Sequence, residues 1–163
     1  MPTDEPGILS TAPPRFTGGN IDCRELIIGS SLFLPIAVSG GLFSVGDGHG
    51  AQGDGEVSVL ALECPMERVE LTFRLYPEGR LTTPRAYTTA GCLTFGFHED
   101  LDEATYIALD AMLDLMIEQQ PGLTRGQALG LASLIVDLRI TQIVNGVKGV
   151  HAVLPHFALR KAS

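Results

Sequence analysis

Between residues 46 and 56 the chain reads Gly46-Asp47-Gly48-His49-Gly50-Ala51-Gln52-Gly53-Asp54-Gly55-Glu56, with three carboxylates, one imidazole and five glycines in eleven residues. Glycine lets the backbone take positive φ and turn tightly, so several donor atoms can converge on one point. Convergent Asp, Glu and His side chains are what a divalent metal or a water-activating site requires. A turn that only reverses the chain needs fewer of them, so this loop is expected to hold part of an active site. His49, flanked by glycines and two residues from Asp47, is open to ligate a metal or to shuttle a proton. The plain alternative is a solvated turn histidine. Asp47 is the matching second ligand, or a turn aspartate bonding its own backbone. Asp54 and Glu56 stand two apart at the entry to an expected strand, where residues i and i+2 share a face. Two such carboxylates give a general base beside a metal ligand. The run is not an EF-hand, because Ala51 stands where that loop needs an oxygen side chain.

Other segments add candidates. Asn20 and Asp22, again two apart and preceded by Gly18-Gly19, offer an amide to orient substrate and a carboxylate to bind metal. Gln52 supplies an amide for a substrate carbonyl or amide, with surface solvation as the equal alternative. Glu63 interrupts an apolar run and needs a function or a partner such as Arg68 or Arg74. His98, His151 and His156 lack ligand-like spacing and are expected at the surface or at a pocket rim; Arg15 is expected to be structural. A Cys nucleophile is not supported, since no basic or helix-start context surrounds Cys23, Cys64 or Cys92, and Asp22 beside Cys23 would raise its pKa. No Gly-X-Ser-X-Gly elbow occurs either.

The elements that must position these groups follow from pattern. Leu32 to Val38, Gly41 to Val45 and Val57 to Cys64 are apolar and read as strands. Arg68 to Leu75 alternates, with Val69, Leu71, Phe73 and Leu75 on one face. Arg85 to Thr89 and Gly91 to Phe97 add strands after a turn at residues 76–80. Leu101 to Gln119 is helical, capped by Asp100 and stopped by Pro121-Gly122. A second helix begins at the Thr124-Arg125-Gly126-Gln127 capping box and runs to about Asp137. Arg139 to Val144 and Val150 to Leu154 return as late strands. The expected class is α+β: a β-sandwich-like sheet core, then two helices and late strands, as a single domain over 1–163.

Composition sets limits. The chain carries 11 Lys and Arg against 19 Asp and Glu, a net charge of −8, and its basic residues are scattered. That argues against a nucleic-acid partner, which needs clustered Lys and Arg. No apolar run reaches the length of a membrane span, so no membrane partner is expected. Three widely spaced cysteines fit neither a disulfide framework nor a zinc ribbon. With no basic region and apolar core at the N-terminus, a cytoplasmic location is expected.

The order of motifs then becomes informative. Ser10-Thr11-Ala12-Pro13-Pro14-Arg15, Gly18-Gly19-Asn20-Ile21-Asp22, Gly29-Ser30-Ser31-Leu32-Phe33-Leu34-Pro35 and Gly40-Gly41-Leu42-Phe43-Ser44-Val45 lead into the Gly/Asp/His run. Together with Asp137-Leu138-Arg139-Ile140-Thr141-Gln142-Ile143-Val144-Asn145, this order resembles the acetamidase/formamidase family, with Gly41 and Gly50 in place of alanines. The resemblance covers nearly the whole chain but only the C-terminal portion of such proteins. It implies an amidase that hydrolyses small linear amides to carboxylate and ammonia. The metal-assisted form of that reading takes Asp22, Asp47 and His49 as ligands and Glu56 or Asp54 as base, with Asn20 and Gln52 on the substrate. The cofactor is then a divalent ion: the imidazole favours zinc, while the oxygen donors leave calcium or magnesium open. Expected partners are the amide substrate and either further copies in a homo-oligomer or a complementing N-terminal chain. The alternative is a non-catalytic fragment, or a metal-binding assembly module that needs a partner chain.

Overall fold

Strands β2 (Arg85–Thr88) and β3 (Gly91–His98) form a hairpin around which the computed structural model, describing residues 1–159, is organised. The short β1 (Ser31–Phe33) pairs with β2, and the late strands β4 (Asp137–Gln142) and β5 (Lys148–Leu154) complete a five-stranded sheet. The order is β1-β2-β3-β5-β4, antiparallel throughout. Helices α1 (Leu101–Gln119) and α2 (Arg125–Ile135) sit between β3 and β4 in sequence. The α+β class expected from the sequence is what is observed, as one sheet with two helices.

Both helices begin where the sequence places them. The Asp100 side chain accepts from the backbone N–H groups of Asp102 and Glu103, and Thr124 and Gln127 form a reciprocal capping box. The second helix ends at Ile135, and Asp137 already belongs to β4. The buried face of α1, with Ala104, Ala108, Met112 and Met116, packs with Val150, Ala152 and Leu154 of β5 and with Ala128 and Ala132 of α2. Arg125 ties α2 back to Asp110 and Asp114 on α1.

Alternation along the strands gives the sheet a second buried face. Leu93 and Phe95 of β3 and Val153 of β5 pack with Ala86 and with Cys23 on the loop of residues 21–26. The opposite residues of β3 meet the helix: Thr94 Oγ1 donates to Ala108 O at 2.7 Å. At Gly96 an added Cβ would lie 2.0 Å from Ala104 O and 2.6 Å from Ala108 N. Only hydrogen at that position lets α1 lie against β3.

The early strands differ from expectation. Residues 41–45, 57–64 and 68–75 form no regular strand, and the expected sandwich is absent among the described residues. The alternation of Arg68 to Leu75 is present in the sequence, yet Val69, Leu71, Phe73 and Leu75 are all exposed. A half-buried strand needs both an edge to pair with and an apolar layer beneath it. Among the described residues no strand pairs with this segment, and the edge-on contact of Phe73 with Phe43 at 5.0 Å leaves the row in solvent.

Gly96→Ala should cost about 2 kcal/mol through overpacking, lowering Tm by roughly 4–8 °C. A thermal melt followed by circular dichroism checks this, and an unchanged Tm would mean that α1 has room to move off the sheet.

Candidate active site

Three separate segments meet at the end of β4. A bulge opens between Ile140 and Gln142, where Ile140 pairs with Val150 and Gln142 with Gly149, leaving Thr141 as the extra residue. The bulge breaks the alternation, so that Arg139, Thr141 and Gln142 all reach the loop side of the sheet; bulges re-aim side chains in this way. Gln142 is fully buried. Its Nε2 donates to Asp22 Oδ2 at 2.6 Å and to Asn20 O at 3.0 Å, and its Oε1 accepts from the Asp22 backbone N–H at 3.1 Å. The glycine-rich loop joins the same strand end through a short parallel bridge. Gly55 N donates to Thr141 O at 3.1 Å, and Ile143 N donates to Gly55 O at 3.0 Å.

His49 is placed by a small antiparallel ladder between residues 48–51 and 62–64. Gly50 N donates to Leu62 O, Leu62 N to Ala51 O and Cys64 N to Gly48 O, setting His49 opposite Glu63. His49 Nδ1 pairs with Gln52 Oε1 at 2.9 Å, while Gln52 Nε2 donates to Asp22 O. That leaves Nε2, which lies 3.1 Å from Glu63 Oε2 and 3.5 Å from Asp47 Oδ1. It is buried without a hydrogen bond aligned to it.

Two groups of donor atoms share this imidazole. Asp22, His49 and Glu56 form the inner group, and Asp47, His49 and Glu63 the outer one; in each, the donor atoms lie within 4.8 Å of one another. Asp22 and Glu56 are buried, whereas Asp47 and Glu63 are exposed. Asp47 and Glu56 both hold positive φ, 61° and 42°, which costs a non-glycine residue on the order of 1 kcal/mol or more. The orphaned Nε2 beside the Glu63 and Asp47 carboxylates, with Asp22 and Glu56 grouped around the same imidazole, fits a divalent cation of the zinc, magnesium or calcium kind.

The charges are correspondingly strained. Burial, then the charge of Glu56 and a hydrogen bond to it, push the Asp22 carboxyl up to about 7. Burial alone would lower His49, but its hydrogen bond to Gln52 and the carboxylates of Glu63, Asp47 and Asp22 outweigh that and raise it.

Of the residues singled out in the sequence, Asp22, Asp47, His49, Gln52 and Glu56 gather here. Asp54 stands apart, exposed, on a turn rather than a strand, so it does not share a face with Glu56 as the i, i+2 argument required. The Asn20 side chain is occupied on Ala12 O at 3.0 Å, and both ends of Gln52 are occupied within the protein. Glu63 pairs with His49 rather than with Arg68, which pairs with Glu70 at 3.4 Å. His151 is not at the surface: it is fully buried, placed by its register opposite Arg139. Gln142 escaped sequence reasoning, since a glutamine within a strand carries no signal until the bulge is known. A hollow of about 260 Å³ elsewhere, lined by Arg80, Thr83, Arg85 and Glu118 among others, contains none of these groups.

Comparison with known proteins places this arrangement in a class. The fold matches a predicted acetamidase/formamidase of the thermophile Thermoanaerobacter tengcongensis with a TM-score of 0.77 and 26% identity, over 93% of this chain and 50% of that one. It also matches an acetamidase of Bacillus halodurans with a TM-score of 0.75 and 27% identity, over 90% of this chain and 49% of that one. In sequence, an acetamidase of Mycolicibacterium smegmatis is 48% identical over 48 residues, 29% of this chain and 12% of that protein. The profile of the Acetamidase/Formamidase family matches residues 6–156, and the chain belongs to that family. It spans about half the length of the solved structures it matches.

For the metal-free protein the sign of the pH dependence follows from Asp22. Its folded pKa lies above the ordinary value of 3.8, so the folded state holds the extra proton between the two values. Stability then falls as pH rises from about 4 to about 7. Asp22→Asn should remove a fall on the order of 1 kcal/mol or more, measured by melts in chelator across that window. Equal slopes in the two proteins would place that proton on another group.

Proposed function

We propose that this chain carries the hydrolytic centre of an amidase acting on small linear amides of the formamide and acetamide type, yielding carboxylate and ammonia. The observation that carries the reading is the buried, unbonded Nε2 of His49 among converging carboxylates, within a chain of the acetamidase/formamidase family. Asp22 on the inner side of His49, with Asp47 on the outer side, would hold a divalent cation, zinc by the preference of the imidazole. Such an ion, when bound, polarises the amide carbonyl and makes water easier to deprotonate. Glu56, buried beside Asp22, takes a proton from the attacking water and returns it to the amide nitrogen. The water oxygen bonds to the carbonyl carbon, the carbon–nitrogen bond breaks, and nitrogen leaves as ammonia. Protonating nitrogen is essential, because an amide anion is a very poor leaving group. Gln52 and Gln142 are positioning residues: the first fixes the His49 ring through Nδ1, and the second fixes both the backbone and the carboxylate of Asp22. Asp54 contributes only its charge from the exposed turn.

A second reading rests on the exposed apolar residues Val69, Leu71, Phe73 and Leu75 together with the half-length match. Here the chain is a module that works only when a partner chain, a complementing N-terminal half, covers that segment. A homo-oligomer would cover it by self-association.

Ammonia release from formamide and acetamide, with and without added Zn²⁺, separates these readings. The first expects metal-dependent turnover by the chain alone, reduced roughly 100-fold or more in His49→Ala. The second expects turnover only after a complementing N-terminal half is added. Turnover unaffected by His49→Ala would overturn the assignment of this site.

A further inference from the structure

Behind the loop, on the sheet side of Asp22, lies a cluster that the amidase reading leaves unused. Cys23 and Glu25 project from the loop of residues 21–26, and His151 projects from β5; all three are buried, His151 completely. Cys23 Sγ donates to Glu25 Oε2 at 3.3 Å, and His151 Nε2 lies 3.3 Å from the same oxygen. The other carboxylate oxygen, Oε1, accepts from Arg139 Nη1 at 2.8 Å. His151 Nδ1 is fixed by Thr141 Oγ1 at 2.8 Å.

The geometry leaves Nε2 of His151 buried with no hydrogen bond. With Nδ1–H donated to Thr141, the Nε2 lone pair faces a carboxylate oxygen, which is repulsive unless a positive centre stands between them. With the other tautomer Nε2 carries a proton, yet its alignment to Glu25 is not that of a hydrogen bond. We propose that Cys23, Glu25 and His151 form a transition-metal site of the zinc type, separate from the loop site at His49.

Three observations support this. The donor atoms lie within 4.8 Å of one another, and the two 3.3 Å separations match the roughly 3.3–3.8 Å edges of a tetrahedron with zinc–ligand bonds of about 2.0–2.3 Å. Sulfur, imidazole and a single carboxylate are a borderline-soft donor set that suits zinc or cobalt and disfavours calcium and magnesium. Second contacts already orient the ligands, with Thr141 on the imidazole and Arg139 on the carboxylate, as in metal centres generally. Binding converts the Cys23 thiol to thiolate: the S–H bond breaks, a sulfur–metal bond forms and the proton goes to solvent. Glu25 and the thiolate would bring two negative charges to the dication, partly offset by Arg139 on the second carboxylate oxygen.

The site fixes the strand of loop that also carries Asp22, but its existence does not rest on the amidase reading. The test is titration of the metal-free chain with Co²⁺, following the sulfur-to-cobalt charge-transfer absorption in the near ultraviolet. The loop site has no sulfur donor and cannot produce that signal. In the Cys64→Ser/Cys92→Ser double variant Cys23 is the one remaining thiol, and the absorption is expected to persist there and to be displaced by Zn²⁺. It is expected to persist in His49→Ala and to vanish in Cys23→Ser, with circular dichroism reporting whether that variant folds. Absence of the absorption in the folded double variant, or its survival in Cys23→Ser, would overturn the proposal. If Cys23→Ser does not fold, the double variant decides alone.

Discussion

The carboxamide of Gln142 joins segments that are some 120 residues apart in the chain. It is fully buried, and it offers a donor to the Asp22 carboxylate and an acceptor to the Asp22 backbone N–H. A buried amide with both ends satisfied holds one geometry, because releasing either end strands a polar group away from water. The bulge at Thr141 is what turns this side chain to the loop side, and the adjoining bridge to Gly55 fastens the glycine-rich loop to the same strand end. Asp22, Glu56 and, through Gln52, His49 all take their positions from that junction.

The rest of the molecule divides by how its apolar surface is used. The sheet is buried on both sides, by α1, itself backed by α2, on one face and by residues 21–26 on the other. From about residue 34 to residue 82 many large apolar side chains remain in solvent, and the middle of the segment is ordered by the ladder around His49 and Glu63 and by the bridge from Gly55 to β4. The site thus lies on the border between a well-packed half and a poorly covered one. Its inner carboxylates belong to the packed side and its outer ones to the other.

What the sequence revealed follows the range of the interactions involved. Both helices were legible, because caps and apolar spacing act within a few residues: Asp100, Thr124 and Gln127 sit where local chemistry requires. The strands β2, β3, β4 and β5 were legible to within a residue or two for the same reason. The alternation at Arg68 to Leu75 misled, since a strand also needs a neighbour, and neighbours are not encoded in the segment itself. At the site, the glycine-rich loop and Asp22 could be picked out by type and spacing. Gln142 and the burial of His151 could not, because both depend on a bulge and on a register between strands. Asp54 looked equivalent to Glu56 only under the assumption of extended backbone, which the turn at Gly55 removes.

One imidazole serves both carboxylate groups in the loop, and its Nδ1 is already engaged by Gln52. A single free nitrogen can coordinate one ion at a time. On the proposed reading this nitrogen would hold one ion, and the inner and outer carboxylates would share that occupant rather than each hold one of their own. Nearness to solvent distinguishes the two sides: the outer carboxylates stand in bulk water, and the inner ones are screened from it.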